Sequence, residues 1–283
     1  MTLTVTDFFR QFPTDDACLD HLWNVQFGNE VECQKCEKVG KFYRLRKQLA
    51  YSCPRCGHHI HPMVGTPFEK SRTSLQKWFY AMYLFTTSRH GVAAKELQRQ
   101  LGVTYKTAWR MAHEIRKYMA RVDGEWSLDG EVEIDETLIG GEAKGRGRGY
   151  RGNKTTVMAM AERDGEIMTR VVPDVKRRTL EPIIRENVMR GSFVYTDDLR
   201  SYLRLAQAGF NHKSVNHGRG EYVRGRCHVN SVEGFWSRVK NAIRGTHVHV
   251  SAKHLQKYVK EFEYRHNMRK NPNLMFYRLL AAF

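Results

Sequence analysis

The chain has 283 residues, and its 47 Lys+Arg against 30 Asp+Glu leave a formal charge of +17. Apolar residues make up 41%, enough for a packed core and too many for a disordered chain, and no apolar run approaches the roughly 18 residues of a membrane span. So basic a chain points to a polyanionic partner, because Lys and Arg release the counterions condensed on phosphates.

The opening MTLTVTDFFRQFPTDD has neither a basic leader nor an apolar stretch of signal-peptide type, so a cytoplasmic chain is expected. Its cysteines would then stay reduced, which favours metal binding over disulfides. Residues 1–30 predict one short amphipathic helix, with Thr14 as N-cap, Asp15 and Asp16 in the first turn, and Leu19, Leu22 and Trp23 as the apolar stripe. Residues 31–65 are punctuated by Cys and Gly and carry strand-like pieces, KFYRL and QLAYSC; GTPFEKSRTSLQKWFYAMYLFTTS follows as a turn and a helix. Over 88–118, AAKELQRQL and TYKTAWRMAHEIRKYM read as two helices broken at Gly102.

From 131 the period shortens to that of strands, in EVEIDETLIGG, TTVMAMAE and EIMTRVVP. Between the first two lies the Gly- and base-rich loop GEAKGRGRGYRGNK. LEPIIRENVMR predicts a helix with Leu180, Ile183, Ile184 and Val188 on one face, SFVYTDD a further strand, and HLQKYVKEFEYRHNM a late helix with Leu255, Tyr258, Val259 and Phe262 in register. There is no internal repeat. The expected organisation is α+β and multidomain: an N-terminal helix and metal module over 1–66, a helical region over 67–125, and a mixed α/β domain over 126–283.

Three constellations carry chemistry. Cys33-Gln-Lys-Cys36 and Cys53-Pro-Arg-Cys56, with 16 residues between them, have the spacing of a four-cysteine zinc site. Such a site is closed, so its zinc is structural. His58, His59 and His61 read as surface or DNA-facing residues, and Cys18 and Cys227 as core. The 93–118 segment fits a helix-turn-helix whose second helix presents Thr104, Tyr105, Lys106, Thr107 and Arg110 near its start, where recognition helices meet base edges; an ordinary helical hairpin is the alternative. The third constellation is acidic. Asp135 lies inside a strand, Asp197 ends another, and Glu233 lies in the helical HVNSVEGFWSRVKNAIRG. A carboxylate in a core strand is costly unless paired or bound to metal. Brought together, the three would hold two Mg²⁺ roughly 3.5–4 Å apart, the arrangement of phosphodiester chemistry. Lys240, seven residues after Glu233, falls on the same helix face and would hold phosphate beside the metals. Each acid singly also fits a turn or a solvated helix position, and periodicity does not bring them together.

At these residues the chain resembles insertion-sequence DDE transposases with an N-terminal zinc ribbon, the ISXO-type group. The resemblance spans nearly the whole chain: FPTDDACLDHLW, the CxxC pair, GTPFEKSRTSLQKWF, LGVTYKTAWRMAHEIR, VEIDETLIGG, VYTDDLRSY and HVNSVEGFWSRVKNAIRGTHVHVS, in that order. It implies an RNase H-like catalytic core with Asp135, Asp197 and Glu233 as the triad and Lys240 as the basic residue that follows. Asn230, one helical turn before Glu233, is the competing third ligand, since related sequences carry Asn in that role. The implied activity is cleavage at the transposon end and strand transfer, dependent on two Mg²⁺, in a chain that also carries one structural Zn²⁺. The implied partners are terminal inverted repeats and target DNA, bound by a homodimer or higher oligomer, with Arg146, Arg148 and Arg151 of the basic loop, beside Lys144 and Lys154, on the DNA backbone. The alternatives are a DNA-binding regulator with a silent core and a host nuclease on the same fold.

Overall fold

The computed structural model describes residues 3–123, 127–140 and 154–282. The chain divides into two compact units: one of residues 1–88, 92–122 and 271–283, the other of 89–91 and 123–270.

The first unit begins with two helices where the sequence predicts one. Helix α1 (Val5–Gln11) is closed by a capping box in which the Thr4 hydroxyl accepts from Asp7 N at 3.1 Å and Thr4 N donates back to Asp7 at 3.3 Å. Helix α2 (Asp15–Gln26) starts at the expected cap, Thr14 accepting from Ala17 N at 3.2 Å, and buries Cys18, Leu19, Leu22 and Trp23. A hairpin of β1 (Val31–Glu32) and β2 (Val39–Gly40) follows, then a three-stranded sheet of β3 (Tyr43–Arg44), β4 (Tyr51–Ser52) and β5 (His59–Ile60). Trp23 stacks on Tyr51 with centroids 4.1 Å apart, fastening α2 to this ribbon. Helices α3 (Leu75–Thr87), α4 (Ala94–Leu101) and α5 (Tyr105–Val122) complete the expected helical region, and α4 ends on Gly102 in the left-handed conformation (φ +60°) that glycine adopts without strain.

The second unit is built on five strands: β6 (Glu131–Ile139), β7 (Thr155–Glu162), β8 (Ile167–Val172), β9 (Phe193–Thr196) and β10 (Asn211–Ser214). Their order is β10-β9-β6-β7-β8; β6, β7 and β8 pair antiparallel, whereas β9 is parallel to β6 and β10 to β9. This is the sheet of an RNase H-like core. Between β8 and β9 runs α6 (Arg177–Asn187), and after β10 come α7 (Asn230–Ala242) and α8 (Ala252–Asn267). Alternation along the strands sends Val132, Ile134, Met158 and Met160 to one core with Leu180 and Ile184 of α6. It sends Ile139, Val157, Ala159 and Ala161 to the other, with Val232, Phe235, Trp236 and Val239 of α7 and Leu255 and Val259 of α8. At about 1.5–3 kcal/mol for each large apolar side chain buried, α7 is held to the sheet chiefly by these four residues.

Helix α6 starts three residues before the predicted LEPIIRENVMR and stops at Asn187, leaving Val188 extended (φ −120°, ψ 129°) and buried. The last helix, α9 (Pro272–Leu280), was not predicted; it buries Met275, Phe276, Leu279 and Leu280 and belongs with the first unit, packing on α3 and α5.

Candidate active site and metal centre

The two CxxC turns bring all four sulfurs within 4.8 Å of one another, among the described residues the only such metal-competent group. Cys33 Sγ lies 3.5 Å from Cys56 Sγ and Cys36 Sγ 3.8 Å from Cys53 Sγ. A tetrahedral zinc with sulfurs at 2.3 Å demands separations of about 3.8 Å, so the cage fits the ion. Each knuckle is closed the same way, Glu37 N donating to Cys33 O at 2.8 Å and Gly57 N to Cys53 O at 3.0 Å, with Glu37 and Gly57 both at positive φ (55° and 70°). Burial would raise the Cys33 thiol, but hydrogen bonds from the backbone amides of Cys36 and Lys35 and from the Cys56 and Cys36 thiols together bring it down to about 7, toward the thiolate a metal binds.

In the core, Asp135 stands on the central strand β6 opposite Ala159 of β7. The parallel ladder of β6 and β9 pairs Glu131 with Phe193 and Glu133 with Tyr195. Carried two residues further, the same register sets Asp197 beside Asp135. On the α7 side, a cavity of about 410 Å³ is lined by Asp135 and Thr137 of β6, by Glu233, Trp236, Ser237, Lys240 and Asn241 of α7, and by Arg244. A neighbouring cavity of about 800 Å³ shares Lys240 and Arg244 and continues past Lys154 and His249 to the start of α8. Burial, and then the charge of Asp197, push the Asp135 carboxyl up to about 7; burial also raises Asp197. Lys240 is lowered by burial, against the pull of Asp135. Burial thus disfavours ionisation of both acids, with the positive charge of Lys240 acting on Asp135. The donor set is all carboxylate, which suits a hard divalent cation.

Residues 127–267 match the family described as ISXO2-like transposase domain, and residues 13–59 the transposase zinc-ribbon domain, the two together spanning most of the chain in the expected order. The chain belongs to this transposase family. A protein of the transposable element ISH50 in Halobacterium salinarum is 29% identical over 285 aligned residues, covering 93% of this transposase and 94% of its relative. A transposase-like protein of Haemophilus influenzae is 36% identical over 102 residues, 36% of this chain and 81% of that one. A chain of a pre-cleavage Mos1 transpososome aligns over 72% of this chain and 78% of its own at 12% identity, with a TM-score of 0.29, too slight a likeness to argue from.

The other residues singled out in the sequence fall as follows. Asp197 lies outside the cavity lining, at the end of β9, where its carboxylate accepts from Leu199 N at 3.1 Å. Glu233 is half-exposed and stands 4.0 Å from His217 Nδ1. Asn230, the competing third ligand, is the exposed first residue of α7 and is absent from the lining. Lys106 and Arg110 are exposed on the first turns of α5; Arg110 also donates to Ser71 Oγ at 3.3 Å and covers the ring of Trp78. Arg146, Arg148 and Arg151 lie outside the described residues. Sequence reasoning missed His217, whose charge also acts on Asp197 and whose ring packs on Tyr222 at 4.9 Å. It missed Glu136 too: burial pushes this carboxyl up to about 8, and it accepts from the Tyr202 hydroxyl on the α6 side of the sheet.

No helix among the described residues is long and apolar enough to cross a membrane.

Proposed function

We propose that this transposase binds the ends of an insertion sequence, cleaves DNA there and joins the freed 3′ end to a target, with Asp135, Asp197 and Glu233 holding two Mg²⁺ ions. The observation that carries this reading is the register of β6 on β9, which carries Asp197 alongside Asp135 as two half-buried acids on adjacent strands, with Glu233 and Lys240 of α7 lining the cavity that Asp135 opens into. When bound, Mg²⁺ would activate the attacking water or 3′-hydroxyl and neutralise charge gathering on the phosphate. Lys240 and Arg244 sit where the two cavities join and hold the phosphate backbone on either side of the scissile bond. Trp236 lines the cavity beside Glu233 and Lys240. The four cysteines hold one structural zinc, and the ribbon and exposed start of α5, with Lys106 and Arg110, bind the terminal repeat as a dimer or larger assembly. The DNA-backbone role of Arg146, Arg148 and Arg151 belongs to the same reading.

A strand-transfer assay with labelled duplexes carrying the element's own ends tests it. Cleavage and joined product should both require Mg²⁺ and vanish in Asp135→Asn and Asp197→Asn, while end binding survives. Cleavage without joining would favour a nuclease; binding without cleavage, a regulator.

A further inference from the structure

Two residues before Asp135 on the same face of β6 stands a second carboxylate, Glu133, with no exposed surface at all. Burying such a group is costly unless every oxygen is paired, and here each is. Oε1 accepts from Arg163 Nε at 2.8 Å and from Ser231 Oγ at 3.1 Å. Oε2 accepts from the backbone amides of Ser231 at 2.7 Å and Val232 at 3.4 Å, and His228 Nδ1 lies 3.2 Å from Oε1. Glu133 is also absent from the cavity lining, so it has no oxygen left for a cation or for DNA.

What it does hold is the start of α7. The amides of a helix's first turn have no partner inside the helix and carry the positive end of its dipole. Val229, at the N-cap of α7, offers no side-chain acceptor. Glu133 fills that place from 98 residues away in the chain. Arg163 reinforces the joint: it donates to the carbonyls of Arg226 at 2.7 Å and His228 at 3.3 Å, in the segment entering α7, while lying over the ring of Tyr195. The amides so held belong to Ser231 and Val232, and the next residue is Glu233.

We propose that Glu133 is a positioning residue: it pins the first turn of α7 to the central strand and thereby sets where Glu233 and Lys240 stand relative to Asp135. The apolar residues of α7 keep the helix on the sheet but leave it free to slide or rotate, since burial is not directional. The Glu133 joint removes that freedom at the end nearest the acids. The inference rests on the reading of Asp135, Asp197 and Glu233 as a divalent-cation site, and its test separates the two.

The probe is Mn²⁺ alone, titrated calorimetrically into the full-length, zinc-loaded protein without DNA, with backbone amide exchange measured over α7. Glu133→Ala should weaken Mn²⁺ binding by about tenfold or more, as loss of a group that orients a metal ligand does. It should also speed exchange at Ser231 and Val232. Glu133→Gln keeps one acceptor and should fall between parent and Glu133→Ala, a graded rescue that a filler of space would not give. Parent-level Mn²⁺ affinity and parent-level exchange in a folded Glu133→Ala would overturn the proposal, even if its melting temperature fell. If Glu133→Ala does not fold, Glu133→Gln decides: weakened binding supports the proposal and unchanged binding overturns it. Asp135→Asn is the control. Should it leave Mn²⁺ binding intact, the cation-site reading fails, and the positioning role is judged on exchange alone, where unchanged rates in Glu133→Gln overturn it.

Discussion

Replacing Asp135 by Asn should stabilise the metal-free transposase at pH 8 while abolishing its chemistry. The folded carboxyl is pushed up to about 7 by burial and by Asp197, from an ordinary value of 3.8. Folding therefore takes up a proton between those values. The associated stability is fully present below pH 3.8 and is lost as pH rises through about 7, leaving a charge that the fold must accommodate. A shift of about three units at 1.36 kcal/mol each sets a ceiling of about 4 kcal/mol; local relaxation reduces this to about 1–4. Asn keeps the shape and removes the charge. In magnesium-free buffer without chelator, so that the zinc stays bound, the variant should melt roughly 2–16 °C above the parent at pH 8, at about 2–4 °C per kcal/mol for a unit of this size. At pH 5 the gap should narrow, because the parent is then protonated. Glu136, pushed up to about 8, leaves a residual pH dependence in both proteins. Adding Mg²⁺ at pH 8 should raise the melting temperature of the parent and not that of the variant. A variant that melts at or below the parent at pH 8 would refute the argument that Asp135 is held under electrostatic stress awaiting a cation.

Purified protein should contain about one zinc per chain by elemental analysis, and Cys53→Ser should lose it along with specific end binding while the RNase H-like unit keeps its own melting transition. Glu233→Gln should abolish end cleavage as fully as Asp135→Asn, whereas Asn230→Ala should leave a measurable rate; the reverse pattern in a gel cleavage assay assigns the third ligand to Asn230. Lys106→Ala should weaken binding of the terminal repeat by about 1–3 kcal/mol if the side chain reads a base edge, or lower the salt slope by about one if it meets phosphate. Arg110→Ala should cost less, since that guanidinium is engaged by Ser71 and Trp78, and fluorescence anisotropy over a salt series separates these cases.

The zinc cage was fully legible in the sequence, because a CxxC knuckle is a local structure and its spacing alone aims the sulfurs. The strands of the core were legible as well: EVEIDETLI and TTVMAMAE alternate or run apolar. Strand β10 was not, since NHKS at the sheet edge has no apolar pattern. Nor was α1, seven residues long, although its Thr4–Asp7 capping box was there to be read. For α9, Pro272 at the start of NLMFYRLL was an overlooked signal. In the candidate site, Glu131, Glu133 and Asp135 alternate identically along one strand, so periodicity does not distinguish among them. Only the fold tells them apart: Glu131 accepts from Tyr195 and Arg226, Glu133 caps α7, and Asp135 alone opens into a cavity.

The placement of α9 makes the first unit discontinuous in the chain. Its two ends come from opposite termini of the sequence, and residues 123–270 are, in effect, an insertion into it. The surface of Phe8, Phe12 and Tyr83 that the Phe276 ring meets at 5.9–6.4 Å waits for a segment synthesised more than 150 residues later. A fragment ending at Val122 would therefore present bare aromatic rings rather than a finished module. A minimal zinc-ribbon and helical domain for binding studies must be assembled by splicing residues 271–282 back onto the first 122. The same connectivity makes a stop codon near 270 a lesion of the amino-terminal unit, though every catalytic candidate would still be translated.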